Sequence, residues 1–127
     1  MTPEYAAGLF DGEGCVRIHQ TDRSFKLRCS ICLTYLPILE QLQIEYGGSI
    51  HRTRGTNKPV YHWVLSTASA NSFLEHIYPH VQVKKQEIKI ALDFVKLCVG
   101  RRGYKLTDVE LAIRANYKQE LQRLKRV

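Results

Sequence analysis

The chain has 127 residues, enough for one domain with a sizeable core and too few for two, so a single domain over residues 1–127 is expected. Its hydrophobic share of 44% and charged share of 24% are those of an ordinary globular protein, and no apolar run is long enough to span a membrane. Lys and Arg number 19 against 12 Asp and Glu, a net charge of +7 that favours a polyanionic partner such as nucleic acid without separating DNA from RNA or an acidic membrane surface.

The amino terminus reads Met-Thr-Pro-Glu, with no basic segment leading into an apolar run. No targeting peptide is visible there, and an intracellular protein is expected. Thr2 is placed to cap a helix and Pro3 suits a first turn, which predicts a helix from Pro3 to about Asp11. Ala6, Ala7 and Gly8 keep side chains small enough for another backbone to approach closely, and Gly12 and Gly14 permit a sharp turn. Glu13 then falls just past the negative end of the helix dipole, where a carboxylate is disfavoured unless a cation compensates it.

From Gly14 the pattern changes to a period of two. Val16 and Ile18 share one face of a first strand, with Cys15, Arg17 and His19 on the other. A polar turn over Gln20 to Ser24 leads to a second strand, in which Phe25, Leu27, Cys29, Ile31 and Leu33 oppose Lys26, Arg28, Ser30 and Cys32. Pro37 opens a helix carrying Ile38, Leu39, Leu42 and Ile44 up to a Gly47-Gly48 stop. A second hairpin follows, with Ile50 in its first strand, a loop from Arg54 to Pro59, and Tyr61, Trp63 and Leu65 alternating with His62, Val64 and Ser66. Residues Ala70 to Tyr78 read as a short helix stopped near Pro79. A longer helix follows from Val83 to Val99, with Ile88, Ala91, Leu92, Val95 and Leu97 on its apolar side.

The last helix, within Leu106 to Val127, starts on a capping-box pattern, Thr107-x-x-Glu110. Val109, Ile113, Tyr117, Leu121 and Leu124 form its apolar side. Arg114, Lys118, Arg123, Lys125 and Arg126 are expected to face solvent, with phosphate contact as the alternative. The four cysteines, at 15, 29, 32 and 98, do not read as a zinc site. Cys29 and Cys32 fall on opposite faces of one strand, and no second Cys-x-x-Cys pair completes a ligand set, so reduced thiols are expected.

The string Ala6-Ala7-Gly8-Leu9-Phe10-Asp11-Gly12-Glu13-Gly14 resembles the signature of the LAGLIDADG homing endonucleases. It matches at the second, third, fourth and sixth positions and at the closing glycine. Ala6 departs from the family's leucine, and Phe10, Gly12 and Glu13 stand for its Ile, Ala and Asp. The resemblance implies an α+β fold, an α-β-β-α-β-β-α unit with a curved antiparallel sheet and here an additional C-terminal helix, which is the order just read. It also implies that the sheet lies in a DNA major groove.

Arg17, His19, Lys26, Arg28, Ser30, Cys32, His51, Thr53 and His62 all have the parity of the sheet's non-apolar face, and no acid interrupts them. Arg and Lys can donate to guanine O6 and N7, and Ser, Thr and His reach bases or phosphates less selectively. Arg54, with Arg52 and Lys58 at the hairpin tip, is expected to meet the DNA backbone.

Members with one motif per chain resemble half of an enzyme, which implies a homodimer. Ala6, Ala7 and Gly8 would form its two-helix interface and bring two Glu13 side chains together. Two carboxylates about 4 Å apart repel by roughly 4 kcal/mol at an effective dielectric of about 20, a penalty that a divalent cation removes. The resemblance implies Mg²⁺ held by Glu13 and the Gly12 carbonyl. It further implies an active-site lysine in Val83-Lys84-Lys85-Gln86, where Lys84 is preferred to Lys85 for stabilising phosphorane charge or polarising the attacking water. A polar water-positioning residue, which some members carry near the end of the second strand, is not assignable between Thr34 and Tyr35. The expected function is therefore Mg²⁺-dependent double-strand cutting of a long, near-palindromic duplex, serving the homing of a mobile intron or intein, with no membrane partner. The alternative is a non-cleaving nucleic-acid-binding protein of the same fold, such as an RNA splicing maturase.

Overall fold

A computed structural model describes residues 1–53, 57–99 and 105–125. Thr2 accepts a hydrogen bond from Tyr5 N at 3.1 Å and so starts helix α1, Pro3–Glu13. The helix continues through Gly12 and Glu13, so the acidic residue occupies the last turn rather than a loop beyond it. Gly14 opens strand β1, Gly14–Thr21, in extended geometry with φ −84°. It needs no left-handed backbone. What requires glycine is space, since a Cβ there would lie 2.4 Å from Cδ1 of Phe10.

Strands β1 and β2, Ser24–Leu33, form a hairpin whose turn is only Asp22-Arg23, shorter than the polar run indicated, with Thr21 opposite Ser24. Asp22 takes φ 53°, a left-handed conformation that Asp tolerates better than most residues. Helix α2, Leu36–Tyr46, ends at Gly47 and Gly48, both with positive φ. Strands β3, Ser49–Arg52, and β4, Tyr61–Ser66, complete an antiparallel sheet of order β1-β2-β4-β3. Helix α3, Thr67–Ile77, then a short 3₁₀ turn, Tyr78–His80, lead to helix α4, Lys85–Cys98, for which Lys84 is the N-cap, and to helix α5, Asp108–Lys125.

One face of the sheet carries the core. Val16, Ile18, Phe25, Leu27, Cys29, Ile31, Trp63 and Leu65 are buried against α1, α2 and α3. Phe73 sits between aromatic neighbours, with ring centroids 5.1 Å from Trp63, 4.8 Å from Tyr46 and 5.7 Å from Phe10. The Trp63 indole N–H donates to Gly47 O at 2.9 Å, which fixes the end of α2 to the sheet. The Thr107–Glu110 capping box forms as read, each backbone N–H meeting the other residue's side-chain oxygen at 3.1 and 3.2 Å.

The apolar stripes of three helices depart from the reading. Ile44, at 86% exposure, points away from the core that takes Leu39 and Leu42. On α4, Leu97 is exposed and Phe94 is buried. On α5, Val109 and Ile113 are exposed, whereas Arg114, expected in solvent, is buried beside Cys98. The cause is the docking partner. Helix α5 lies on α4 and on the edge strand β1, so its inward face runs through Leu111, Arg114, Tyr117 and Leu121, where the arginine's aliphatic stem takes a packing position.

Candidate active site and open sheet face

Because β-strand side chains alternate, burying Val16, Ile18, Leu27, Cys29, Trp63 and Leu65 sends their neighbours to the other face of the sheet. All nine residues selected by parity lie there. Arg17 is the register partner of Arg28, His19 of Lys26, Cys32 of His62, and His62 of His51. Ser30 is paired between Cys15 and Val64, and Thr53 continues the edge beyond β3, its backbone N–H bonded to Val60 O at 2.8 Å. Arg54 lies outside the described residues.

Two arginines directly opposite one another weaken a strand pair, and their field is visible on the next residue along. His19 has its pKa lowered from 6.5, first by Arg28, then by burial, then by Arg17, Lys118 and Lys26. The face thus holds positive charge at a cost that an approaching anion would relieve. Nearer its middle the side chains are tied together. His62 Nδ1 lies 2.9 Å from Cys32 Sγ, and its Nε2 bonds the Thr53 hydroxyl. Burial, followed by Cys15, raises the Cys32 thiol, with Glu13 adding to the rise and Arg17 opposing it. Cys29, in the core, is raised by burial and by Cys15.

At the junction of α1 and β1, Asp11 organises the second cluster. Its carboxylate accepts from the backbone N–H groups of Gln82, Val83 and Lys84 at 2.8, 3.1 and 3.0 Å, and so caps the start of α4. In return Lys84 Nζ donates to the Asp11 carbonyl at 3.0 Å. That carbonyl is among the last four of α1, which have no partner within the helix, and α1 has no basic residue of its own in its last turn. Lys84 therefore brings to the helix terminus the cation that Glu13 needs nearby. Lys85 turns elsewhere, its ammonium 5.1 Å from the centroid of the Tyr78 ring.

Glu13 and Gly12 are exposed. Among the described residues no three His, Cys, Asp or Glu side chains converge as a metal cluster. A single chain thus offers the Glu13 carboxylate and the main-chain carbonyl of Gly12, in the last turn of α1. Mg²⁺ fits such a donor set, because it takes oxygen ligands, keeps several waters and is commonly bound by one or two carboxylates together with substrate phosphates. Zinc, which prefers a closed shell of nitrogen and sulfur, does not.

The interface assignment of Ala6 and Ala7 is corrected. Both are 0% exposed and belong to the protein's own core. The side of α1 left open carries Tyr5, Gly8 and Gly12 at helical spacing, and a Cβ at either glycine would meet nothing within 4 Å. Gly8 therefore stays available for a close backbone approach and Gly12 joins it. The i, i+4 spacing of those glycines places them on one side of the helix but does not say which side is open. Asp11's role had no local signal, since its partners lie about seventy residues away.

The LAGLIDADG endonuclease family model matches residues 6–99, from α1 to the end of α4. No curated protein matches the chain in sequence. Among solved structures, the homing endonuclease I-CvuI in complex with the I-CreI target superposes with a TM-score of 0.78 at 20% identity, covering 96% of this chain and 80% of that one. The archaeal intron-encoded homing endonuclease I-Vdi141I, complexed with DNA, gives 0.79 at 20% identity over 95% and 82% of the two chains. The LAGLIDADG meganuclease I-AabMI, bound to uncleaved DNA, gives 0.76 at 24% identity and covers 93% of this chain but only 44% of its own. These likenesses establish the α+β fold that the element order implied.

Proposed function

The chain belongs to the LAGLIDADG endonuclease family, and from that premise we propose that it is a site-specific DNA endonuclease acting as a homodimer on a long, near-palindromic duplex, in the service of a mobile intron or intein. The observation that carries this reading is the pairing of Asp11 with Lys84, which holds a lysine and an exposed acid at one helix end. Beyond capping the two helices, the pairing sets a cation at the same helix end as the exposed acid, the two kinds of group that phosphodiester hydrolysis uses.

In this reading the Gly8 and Gly12 face of α1 packs on its equivalent in a second copy, close enough to bring the two Glu13 carboxylates together. Glu13 from each chain and the Gly12 carbonyl would hold Mg²⁺, which when bound supplies charge neutralisation and an activated water. Lys84 donates hydrogen bonds to the scissile phosphate and stabilises the charge that grows on its oxygens. Arg17, Arg28 and Lys26 meet the duplex with positive charge beside His19, while Ser30, Cys32, His51, Thr53 and His62 face the bases. The like-charge pairing of Arg17 with Arg28 supports this, since a polyanion is what makes it favourable.

The test is incubation of the purified protein with a duplex pool randomised over its central segment, with Mg²⁺, followed by capture and sequencing of cut ends. The expected result is paired cuts of both strands at a related set of sequences, abolished by Glu13→Gln. Binding to DNA or RNA without cuts, or cuts that persist in Glu13→Gln, would refute the assignment.

A further inference from the structure

Lys125 closes helix α5, and its Nζ lies 3.4 Å from Cys15 Sγ on β1. Packing brings it there. Leu121 is buried, Tyr117 meets Phe94 of α4 with ring centroids 6.2 Å apart, and Lys118 reaches Gln20 Oε1 at 3.1 Å. Lys118 and Lys125 are seven residues apart, two helical turns, and share one side of α5. The helix therefore runs beside β1 with Lys118 toward the strand's far end and Lys125 toward its start, the end at which Glu13 adjoins it.

A cleft opens at that start, lined by Gly14, Cys15, Lys84, Glu87 and Lys125 among others. Its two lysines differ in their commitments. Lys84 donates to the Asp11 carbonyl, whereas Lys125 reaches a thiol, a weak acceptor, and among the described residues no carboxylate forms an ion pair with it. Glu87 keeps the cleft from being purely cationic, so the site suits one anionic group held between the lysines rather than a diffuse polyanion.

We propose that Lys125 is a second cation for the scissile phosphate, reaching from α5 across the cleft to an oxygen opposite Lys84. This rests on the endonuclease reading. Lys125 donates hydrogen bonds to a non-bridging oxygen and transfers no proton. Lys118 and Lys125 both line a second pocket beside Arg17 and His19, but of the two only Lys125 also lines the cleft that holds Lys84, so in this reading Lys118 meets backbone phosphates farther from the cut.

The experiment compares Lys125→Ala, Lys125→Arg and Lys118→Ala on a duplex recovered from the randomised pool. Single-turnover cleavage is followed at saturating protein, and binding by anisotropy without Mg²⁺. Lys125→Ala should cleave about tenfold to a hundredfold more slowly with little loss of affinity, and Lys125→Arg should recover most of the rate. Lys118→Ala should bind more weakly, with a flatter salt dependence. Phosphate-ethylation interference gives a second readout that needs no cleavage. Ethylation of the scissile phosphate should weaken binding less in Lys125→Ala, which keeps only the Lys84 contact, than in the wild type. Wild-type cleavage and an unchanged interference pattern in Lys125→Ala would overturn the proposal. If the wild type binds but cuts nothing, the endonuclease reading fails by itself, and the interference pattern still decides whether Lys125 holds a central phosphate.

Discussion

Asp11 and Lys84 hold each other twice: the Asp11 carboxylate accepts the Lys84 backbone N–H, and the Asp11 carbonyl accepts the Lys84 ammonium, each at 3.0 Å. One residue pair thus caps the beginning of α4 and the end of α1 together. The position of the lysine relative to Glu13 follows from helix-end chemistry and not from a flexible side chain's choice.

Replacing Asp11 should therefore act on fold and site together. Asp11→Ala leaves the N–H groups of Gln82, Val83 and Lys84 without their acceptor, and a lost helix cap costs about 1–2 kcal/mol. Asp11→Asn keeps one acceptor oxygen and should cost less. Chemical denaturation measures the stability loss. Cleavage should fall more in Asp11→Ala than in Asp11→Asn at temperatures where both remain folded.

The glycines of α1 and its junction should divide by environment. Gly14→Ala drives a Cβ into the Phe10 ring, and overpacking of this kind costs about 1–3 kcal/mol. Gly8→Ala and Gly12→Ala meet nothing in the isolated chain, and replacing a helical glycine by alanine gains up to about 1 kcal/mol. The monomer should gain thermal stability while light scattering shows weaker association. A loss of monomer stability in Gly8→Ala would contradict the open face.

The strands were legible because half-buried sheets impose a period of two, which Val16 and Ile18 or Trp63 and Leu65 display without help from distant residues. The capping box at Thr107 and Glu110 was legible for the same reason, being local. The face of α1 was not. Ala6, Ala7, Gly8 and Gly12 are all small, and only the seating of Phe10 between Phe73 and Gly14 decides which of them turn inward. Arg114 misled through its charge, since what buries it is the location of α4, which the sequence of α5 does not encode.

His19 makes the basic face pH-sensitive. Its lowered pKa comes first from Arg28, so Arg28→Gln should move it back up toward 6.5, read by NMR titration of the imidazole. In the free protein the unfolded chain takes up the proton first as pH falls through 6.5, so this group's contribution to stability is present above that pH and is lost below it. Binding reverses the sign. Phosphates near His19 raise its pKa, the complex takes up a proton, and duplex affinity should strengthen as pH falls. His19→Asn should remove that pH dependence.

The Cys32–His62–Thr53 chain sets a direction for its protons. Burial raises the Cys32 thiol, which stays protonated and can donate to His62 Nδ1. With the thiol as donor, the imidazole carries a hydrogen on Nε2 and gives it to the Thr53 oxygen, which leaves the threonine hydroxyl hydrogen free to point outward. Thr53 is then a donor, suited to an acceptor such as guanine O6 or N7 or thymine O4. Cys32→Ala removes the first donor and frees the tautomer. Long-range ¹⁵N–¹H correlation spectra should show the Nε2–H form in the wild type and a mixture in Cys32→Ala. Cleavage-site selection should lose preference at one base pair in each half-site, where a mismatched pair ordinarily costs about 1–3 kcal/mol. A wild-type spectrum dominated by the Nδ1–H form would reverse the donor chain and with it the expected base preference.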